Sequence, residues 1–214
     1  MDKRGRFITI EGSEGVGKST QIEAVCAYLR SCGVDLVVTR EPGGTAISEA
    51  IRELLLDPDK ASMHPDTELL LMFAARAEHL RQTIEPALVA GRWVFCDRFT
   101  DATYAYQGGG RELDATRIAV LEQWVHPHTQ PDLTVLLDIP VAIGLERARA
   151  RGPADRFERE TDPFFERVRA TYLARAEAHA RFAVIDAGAT ISEVTHQIRA
   201  TLHARFPELG QPDD

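Results

Sequence analysis

Gly12-Ser13-Glu14-Gly15-Val16-Gly17-Lys18-Ser19 is the stretch that decides the fold of this 214-residue chain. It fits the pattern Gly-x4-Gly-Lys-Ser and lies between an apolar run, Phe7-Ile8-Thr9-Ile10, and a helix-like segment that starts near Ser19. Glycines let the backbone curl so that successive N–H groups point inward at phosphate oxygens. The helix that follows adds its own unbonded N–H groups and the positive end of its dipole. Lys18 reaches the outer phosphates, and the Ser19 hydroxyl can ligate Mg²⁺. Gly12 to Thr20 therefore implies a nucleoside triphosphate site. A glycine-rich turn that merely joins strand to helix is the weaker reading.

Working outward, strand-like runs alternate with helix-period segments. The strands are expected at Phe7 to Ile10, Asp35 to Thr39, Trp93 to Cys96, Leu133 to Leu137 and Phe182 to Ile185. Their apolar residues run continuously instead of alternating, as in parallel strands buried on both faces. Helices are expected at Ser19 to Ser31, Thr45 to Leu56, Thr67 to Ala90, Asp114 to Val125, Val141 to Ala150, Pro163 to Ala180 and Ser192 to Ala204. This order predicts an α/β fold, a doubly wound five-stranded parallel sheet with flanking helices and its ligands at the carboxyl ends of the strands. There is no internal repeat or low-complexity linker. One domain spanning 1–214 is expected, with residues 207–214 frayed.

Composition narrows the function classes. A net charge of −8 argues against a nucleic-acid-binding face. Cys26, Cys32 and Cys96 follow no metal-ligand spacing, and their odd number suits a reducing compartment. Met1 to Arg6 leads straight into the first strand, and no apolar run is long enough to span a membrane. The reading is a cytoplasmic protein with no membrane partner. The histidines are scattered without ligand spacing and read as surface or satisfied groups.

Charged clusters fall at the ends of three strands. The first strand ends at the phosphate loop, and the second in Thr39-Arg40-Glu41-Pro42-Gly43-Gly44-Thr45. The third ends in Asp97-Arg98-Phe99. A GTPase switch would need an Asn-Lys-x-Asp motif, and the chain contains no asparagine. An ATP-driven motor would carry an acidic pair after an apolar strand, whereas here an arginine follows Asp97 at once. That pairing suits a second anionic substrate, with Asp97 facing the Mg²⁺ shell through water and Arg98 holding another phosphate. Phe73 and Arg76 lie three apart on a long helix, so ring and guanidinium share a face. A base could stack on Phe73 while Arg76 donates to a carbonyl at its edge. A core position for Phe73, beside Leu69, Leu70 and Met72, stays open on spacing alone.

With these segments, Phe73 to Arg76 and Ala105-Tyr106-Gln107-Gly108-Gly109-Gly110-Arg111, the chain resembles the bacterial thymidylate kinases in order from about Phe7 to about Ile198. The resemblance implies a P-loop kinase fold with a lid at about 150–161 and transfer of the γ-phosphoryl group of Mg-ATP to dTMP. It implies that Phe73 is the thymine platform and that Arg76 donates to thymine O4. Thr103 matches the residue that bonds the pyrimidine ring, and Gln107 a neighbouring contact. Tyr106 matches a tyrosine packed on the deoxyribose, Glu14 an acceptor for the 3′-hydroxyl, and Arg40 and Arg98 the grip on the acceptor phosphate. The family commonly forms homodimers, so one is expected. A kinase for another nucleotide or nucleoside, or a non-catalytic ATP-binding module, are the alternatives.

Some family members carry an arginine inside the phosphate loop, where this chain has Gly15. Arginines crowd the expected lid instead, at Arg147, Arg149, Arg151, Arg156 and Arg159. Phosphoryl transfer relies on cationic clamps, so a lid arginine is expected to supply the charge, with Arg151 and Arg156 the first choices. A salt-bridged solvated helix is the competing reading. No general base is expected, because a phosphate monoester with a second pKa near ~6 is already ionised at neutral pH.

Overall fold

Strand β1 (Phe7–Glu11) takes the centre of a five-stranded parallel sheet of order β2-β3-β1-β4-β5. Its neighbours are β3 (Trp93–Asp97) and β4 (Leu133–Asp138), with β2 (Leu36–Arg40) and β5 (Phe182–Asp186) at the edges. The computed structural model describes residues 4–60, 62–150 and 155–210. Each strand begins within one residue of its expected start and runs one residue past its expected end.

The continuous apolar runs follow from burial on both faces. Ile8 and Ile10 of β1 and Val135 and Leu137 of β4 pack on α1 (Lys18–Ser31), through Val25 and Leu29, and on the C-terminal helix (Ile191–Arg205), through Val194 and Ile198. Phe7, Val94 and Cys96 face the opposite way, onto Leu80, Ile84 and Leu88. Parallel strands need this double covering because their crossover helices lie on both sides of the sheet.

The remaining helices are α2 (Ala46–Leu56), α3 (Pro65–His79), α4 (Glu85–Val89), α5 (Thr100–Thr103), α6 (Ala115–Val125), α7 (Val141–Arg149) and α8 (Asp162–Ala178), and the C-terminal helix is α9. The long helix expected over 67–90 is present as α3 and α4 joined by a π-helical turn, Leu80–Ile84. Pro86 sits just beyond that turn and cannot donate to the ladder, so the bonding register shifts before it.

One element went unread in the sequence. After α5 the chain continues as a π-helical segment, Tyr104–Gly110, where glycines at 108, 109 and 110 lower helix propensity. Tertiary contact overrides that propensity. A Cβ on Gly110 would stand 2.4 Å from the Phe164 ring, so the glycines let α8 approach, and Arg167 of α8 donates to the carbonyls of Gly109 and Gly110 at 3.1 and 2.8 Å.

The tail is also better anchored than expected. Leu209 is buried in the α1–α9 core, and the Arg6 Nε–H donates to Glu208 at 2.8 Å, which docks residues 207–210. Residues 211–214 lie outside the described residues. Among the described residues no helix is long and apolar enough to cross a membrane.

Candidate active site

The phosphate loop closes between β1 and α1 as its sequence demands. Gly17 caps α1 at φ 89°, with no side-chain cap and no acidic residue in the first turn. By contrast Thr45, Asp114 and Thr190 cap α2, α6 and α9 through their side chains. The first N–H groups of α1 are thus left for an anion. Lys18 Nζ meanwhile donates to the carbonyls of Gly12 and Ser13 at 3.2 and 3.1 Å. Burial, and then the neighbouring Arg98 guanidinium, hold the Lys18 ammonium below its ordinary range. An arriving polyphosphate would favour its charged form.

Gly15 is held by its surroundings. At φ +70°, a Cβ on Gly15 would lie 1.8 Å from the Gly144 carbonyl oxygen, and one on Gly144 would lie 2.5 Å from the Glu14 carbonyl oxygen. The loop and the first turns of α7 meet backbone to backbone through these two glycines. In this chain the loop position has no room for a side chain, and an arginine there would have to displace α7.

Beside the loop opens a cavity of ≈ 260 Å³. Its floor is the loop from Glu14 to Ser19 and the strand-end residues Glu41, Pro42, Asp97, Arg98 and Phe99. Arg52 and Leu56 of α2, Met72 and Arg76 of α3, and Ala102, Thr103, Tyr106 and Gln107 of the α5 region form its sides. Asp155, Phe157 and Glu158 wall the remaining side.

Arg98 is the most constrained group here. Its backbone sits at φ 67°, rare for a residue with a side chain. Its guanidinium donates to Gly12 O at 2.9 Å, to the Tyr172 hydroxyl at 3.2 Å and to Glu14 Oε1 at 2.9 Å. It also stacks 4.8 Å from the centre of the Tyr106 ring, whose hydroxyl donates to the same Glu14 oxygen at 2.8 Å. Beneath it, Glu11 accepts from Tyr172 at 2.8 Å and from the Phe99 N–H at 2.7 Å. Burial, with Asp101 adding to it, pushes the Glu11 carboxyl up to about 8.

Arg76 is fixed with comparable care. Its Nε donates to Glu41 at 2.7 Å and its Nη2 to the Thr103 hydroxyl at 3.0 Å, all three side chains being buried. Burial alone would raise the Glu41 carboxyl, yet Arg76 and His79 hold it below its usual range. Arg76 Nη1 is buried without a partner. A buried unbonded guanidinium nitrogen on a cavity-lining residue is a donor waiting for an acceptor. Asp97 Oδ1 is a second such atom. On a residue that lines the same cavity as Ser19, it fits the outer shell of a hard cation such as Mg²⁺, which prefers oxygen donors and retains waters.

Most of the residues expected from the sequence converge here. Glu14 to Ser19, Arg76, Asp97, Arg98, Thr103, Tyr106 and Gln107 all line the cavity. Gly12 and Ser13 contribute carbonyls to Lys18, and Thr20 lies exposed on the first turn of α1.

Phe73 is the residue expected as the thymine platform. It is 2% exposed, does not line the cavity and packs with Leu69 and Ile118, the Arg76 guanidinium lying 4.8 Å from its ring centre. Met72, four residues before Arg76 instead of three, faces the cavity, because the i,i+4 pair shares that side of the helix. Arg40 is likewise absent from the lining, and its guanidinium lies half-exposed on Glu49 at 2.9 Å. Arg52 is the arginine of that region that enters the cavity, and its Nη1 donates to Pro42 O at 2.9 Å. The signal for it was its spacing, four residues before Leu56 on the same face of α2.

Arg156 also turns from the cavity. It is 4% exposed, pairs with Glu68 at 2.6 Å and donates to Leu55 O at 2.7 Å. Arg151 lies outside the described residues, as do Gly152 and Pro153.

A phosphate loop at the centre of a 2-3-1-4-5 parallel sheet, opening on a cavity lined by Arg52, Arg76 and Arg98, defines a phosphate-loop kinase. Residues 10–198 match the thymidylate kinase family. The chain is 59% identical over 206 residues to a thymidylate kinase of Ectopseudomonas mendocina, covering 96% of each. It is 55% identical to one of Vesicomyosocius okutanii, covering 94% of this chain and 99% of that one. A solved thymidylate kinase from Ehrlichia chaffeensis superposes with a TM-score of 0.76 at 32% identity, covering 93% of this chain and 99% of the other. The chain belongs to the thymidylate kinase family.

Proposed function

We infer that the protein transfers the γ-phosphoryl group of ATP to dTMP, giving ADP and dTDP. The observation that carries the acceptor is the unpartnered Nη1 of Arg76, a cavity-lining residue whose Nη2 bonds Thr103. A pyrimidine with a carbonyl at position 4 satisfies that donor, and its 5′-phosphate falls to Arg98, with Arg52 as a further cation. Tyr106 and Glu14, bonded to each other, meet the deoxyribose. The ring of Tyr106 leaves no room for a 2′-hydroxyl, and Glu14 is the acceptor for the 3′-hydroxyl.

On the donor side, the loop N–H groups and the start of α1 take the phosphates, and Lys18 exchanges its loop carbonyls for the outer ones. Mg²⁺ would be held by the Ser19 hydroxyl and, through water, by Asp97, and supplies positive charge to the outer phosphates when bound. Arg98 aligns the acceptor phosphate and offsets the repulsion between its charge and that of the incoming phosphoryl group. That oxygen is already ionised, so no residue is assigned to remove a proton, and catalysis is positioning plus charge neutralisation. Arg151 is the lid residue retained as the candidate clamp. A homodimer fits the exposed apolar side chains Leu70 of α3 and Val120 and Trp124 of α6, on helices that pack together. Trp124→Asp should then shift the protein to monomer in equilibrium sedimentation.

A coupled assay of ADP formation tests the reaction against dTMP, dUMP, UMP, dCMP and dGMP. dTMP should give the highest kcat/KM, with dUMP ahead of UMP. Preference for another monophosphate would overturn the acceptor.

A further inference from the structure

Glu68 of α3 is a fully buried carboxylate that no step above uses. Three groups from separate parts of the chain converge on it. Gln107 donates through Nε2 at 2.7 Å, Arg111 through Nε at 3.3 Å, and Arg156 lies 2.6 Å away through Nη1. Arg111 extends the network to Glu160. The segment from Asp155 to Glu160 is thus tied to α3, and the Arg156 backbone N–H and Nε add bonds to Leu56 O and Leu55 O at 3.2 and 2.7 Å. Between these ties stands Phe157, which covers Tyr106 edge-on with ring centres 5.8 Å apart.

The carboxylate also dictates which way the Gln107 amide faces. A carboxylate between two guanidinium groups only accepts, so the amide nitrogen must turn to it. The amide oxygen is then the end left for a ligand, in the cavity that Arg76 also lines. A donor beside an acceptor matches O4 and N3–H of thymine or uracil. It opposes cytosine, which offers an amino group and a bare N3 on the same edge.

We propose that Glu68 is a positioning residue that sets base specificity by holding the Gln107 amide oxygen toward the cavity, and that it seats the 155–160 wall through Arg156. Arg156 is then a positioning residue as well. The specificity half rests on the dTMP reading, whereas the seating half does not.

Glu68→Gln keeps the shape, removes the charge and leaves the Gln107 amide able to turn. The dCMP-to-dTMP ratio of dissociation constants should fall about tenfold or more, while an ATP analogue binds as before. Amide hydrogen exchange over 155–160 should accelerate. Arg156→Gln should lower kcat about tenfold in the wild-type background but less than about twofold in the Glu68→Gln background, because both variants break one unit. Independent, multiplying losses would overturn the proposal by making Arg156 act on nucleotide directly, and an unchanged base ratio would overturn the specificity half. Should Glu68→Gln fail to fold, Arg156→Gln and Arg111→Gln carry the exchange test, and unchanged exchange in both overturns the seating. If the wild-type protein forms no ADP with dTMP while exchange at 155–160 still responds to Glu68→Gln, the dTMP reading fails and the seating stands.

Discussion

The two halves of the cavity are built on opposite plans. The donor half is one contiguous loop whose binding groups are mostly backbone N–H groups, with Lys18 parked on carbonyls of its own loop. The acceptor half is drawn from β2, α2, α3, the α5 region and the segment before α8, and its polar side chains are already bonded within the protein, Arg76 to Glu41, Arg52 to Pro42 O and Gln107 to Glu68. Only isolated atoms, such as Arg76 Nη1 and Asp97 Oδ1, are left over. A loop that binds phosphate through its backbone reads no base and serves any nucleoside triphosphate. A pocket that must distinguish one base from another is preorganised by internal bonds, so that a wrong edge leaves a buried group unpaired.

The contrast is sharpest at Lys18. Lys18→Ala should lower kcat by about a thousandfold or more without unfolding the protein, since the charge is used on the transferring group. ADP formation with a circular dichroism melt checks both halves of that statement, and near-normal turnover would remove the donor site from this loop.

Gly15 tests whether the donor loop is as self-contained as it looks. Gly15→Ala forces a side chain onto a left-handed backbone against the Gly144 carbonyl and should cost about 2–4 kcal/mol of unfolding free energy. Gly15→Arg should be at least as costly and gain no catalysis. A stable, faster Gly15→Arg enzyme would show that α7 yields readily and that the loop is independent of it.

On the acceptor side, Arg76→Ala should weaken dTMP and dUMP alike by roughly 1–3 kcal/mol and leave an ATP analogue unaffected, measured by separate titrations. Met72→Ala should raise the dTMP KM more than Phe73→Leu does, with Phe73→Leu appearing chiefly as lower thermal stability. The reverse order would return the base to Phe73.

A further effect lies beneath both halves, at Glu11. A carboxyl whose folded pKa is raised binds its proton more tightly in the folded state. Its contribution is fully present below about 4.5 and is lost as pH rises through about 8. Wild-type stability should therefore decline across that window, and Glu11→Gln should flatten the decline in urea melts. Parallel profiles for the two proteins would assign the slope to other groups.

The sequence by itself determined the strands, most of the helices and the phosphate loop, because each is specified by neighbours in the chain. Continuous apolar runs, a 3.6-residue period and the loop's glycine spacing are local signals. It also brought Asp97 and Arg98 to one cavity through their place at a strand end, and Arg76, Thr103 and Tyr106 through a resemblance carried by their motifs. The tertiary structure alone decided which face of α3 looks into the cavity, and so put Met72 there with Phe73 in the core, a difference of one position on the helix. It alone brought Arg52 into the cavity instead of Arg40, turned Arg156 onto Glu68, and closed Gly15 against Gly144, a partner more than a hundred residues away. The helical turn over Tyr104–Gly110 belongs with these, since three glycines oppose it locally and α8 holds it in place. Spacing along one helix says which residues share a face. Which face is buried depends on what packs against it, and for these residues that partner lies far away in the chain.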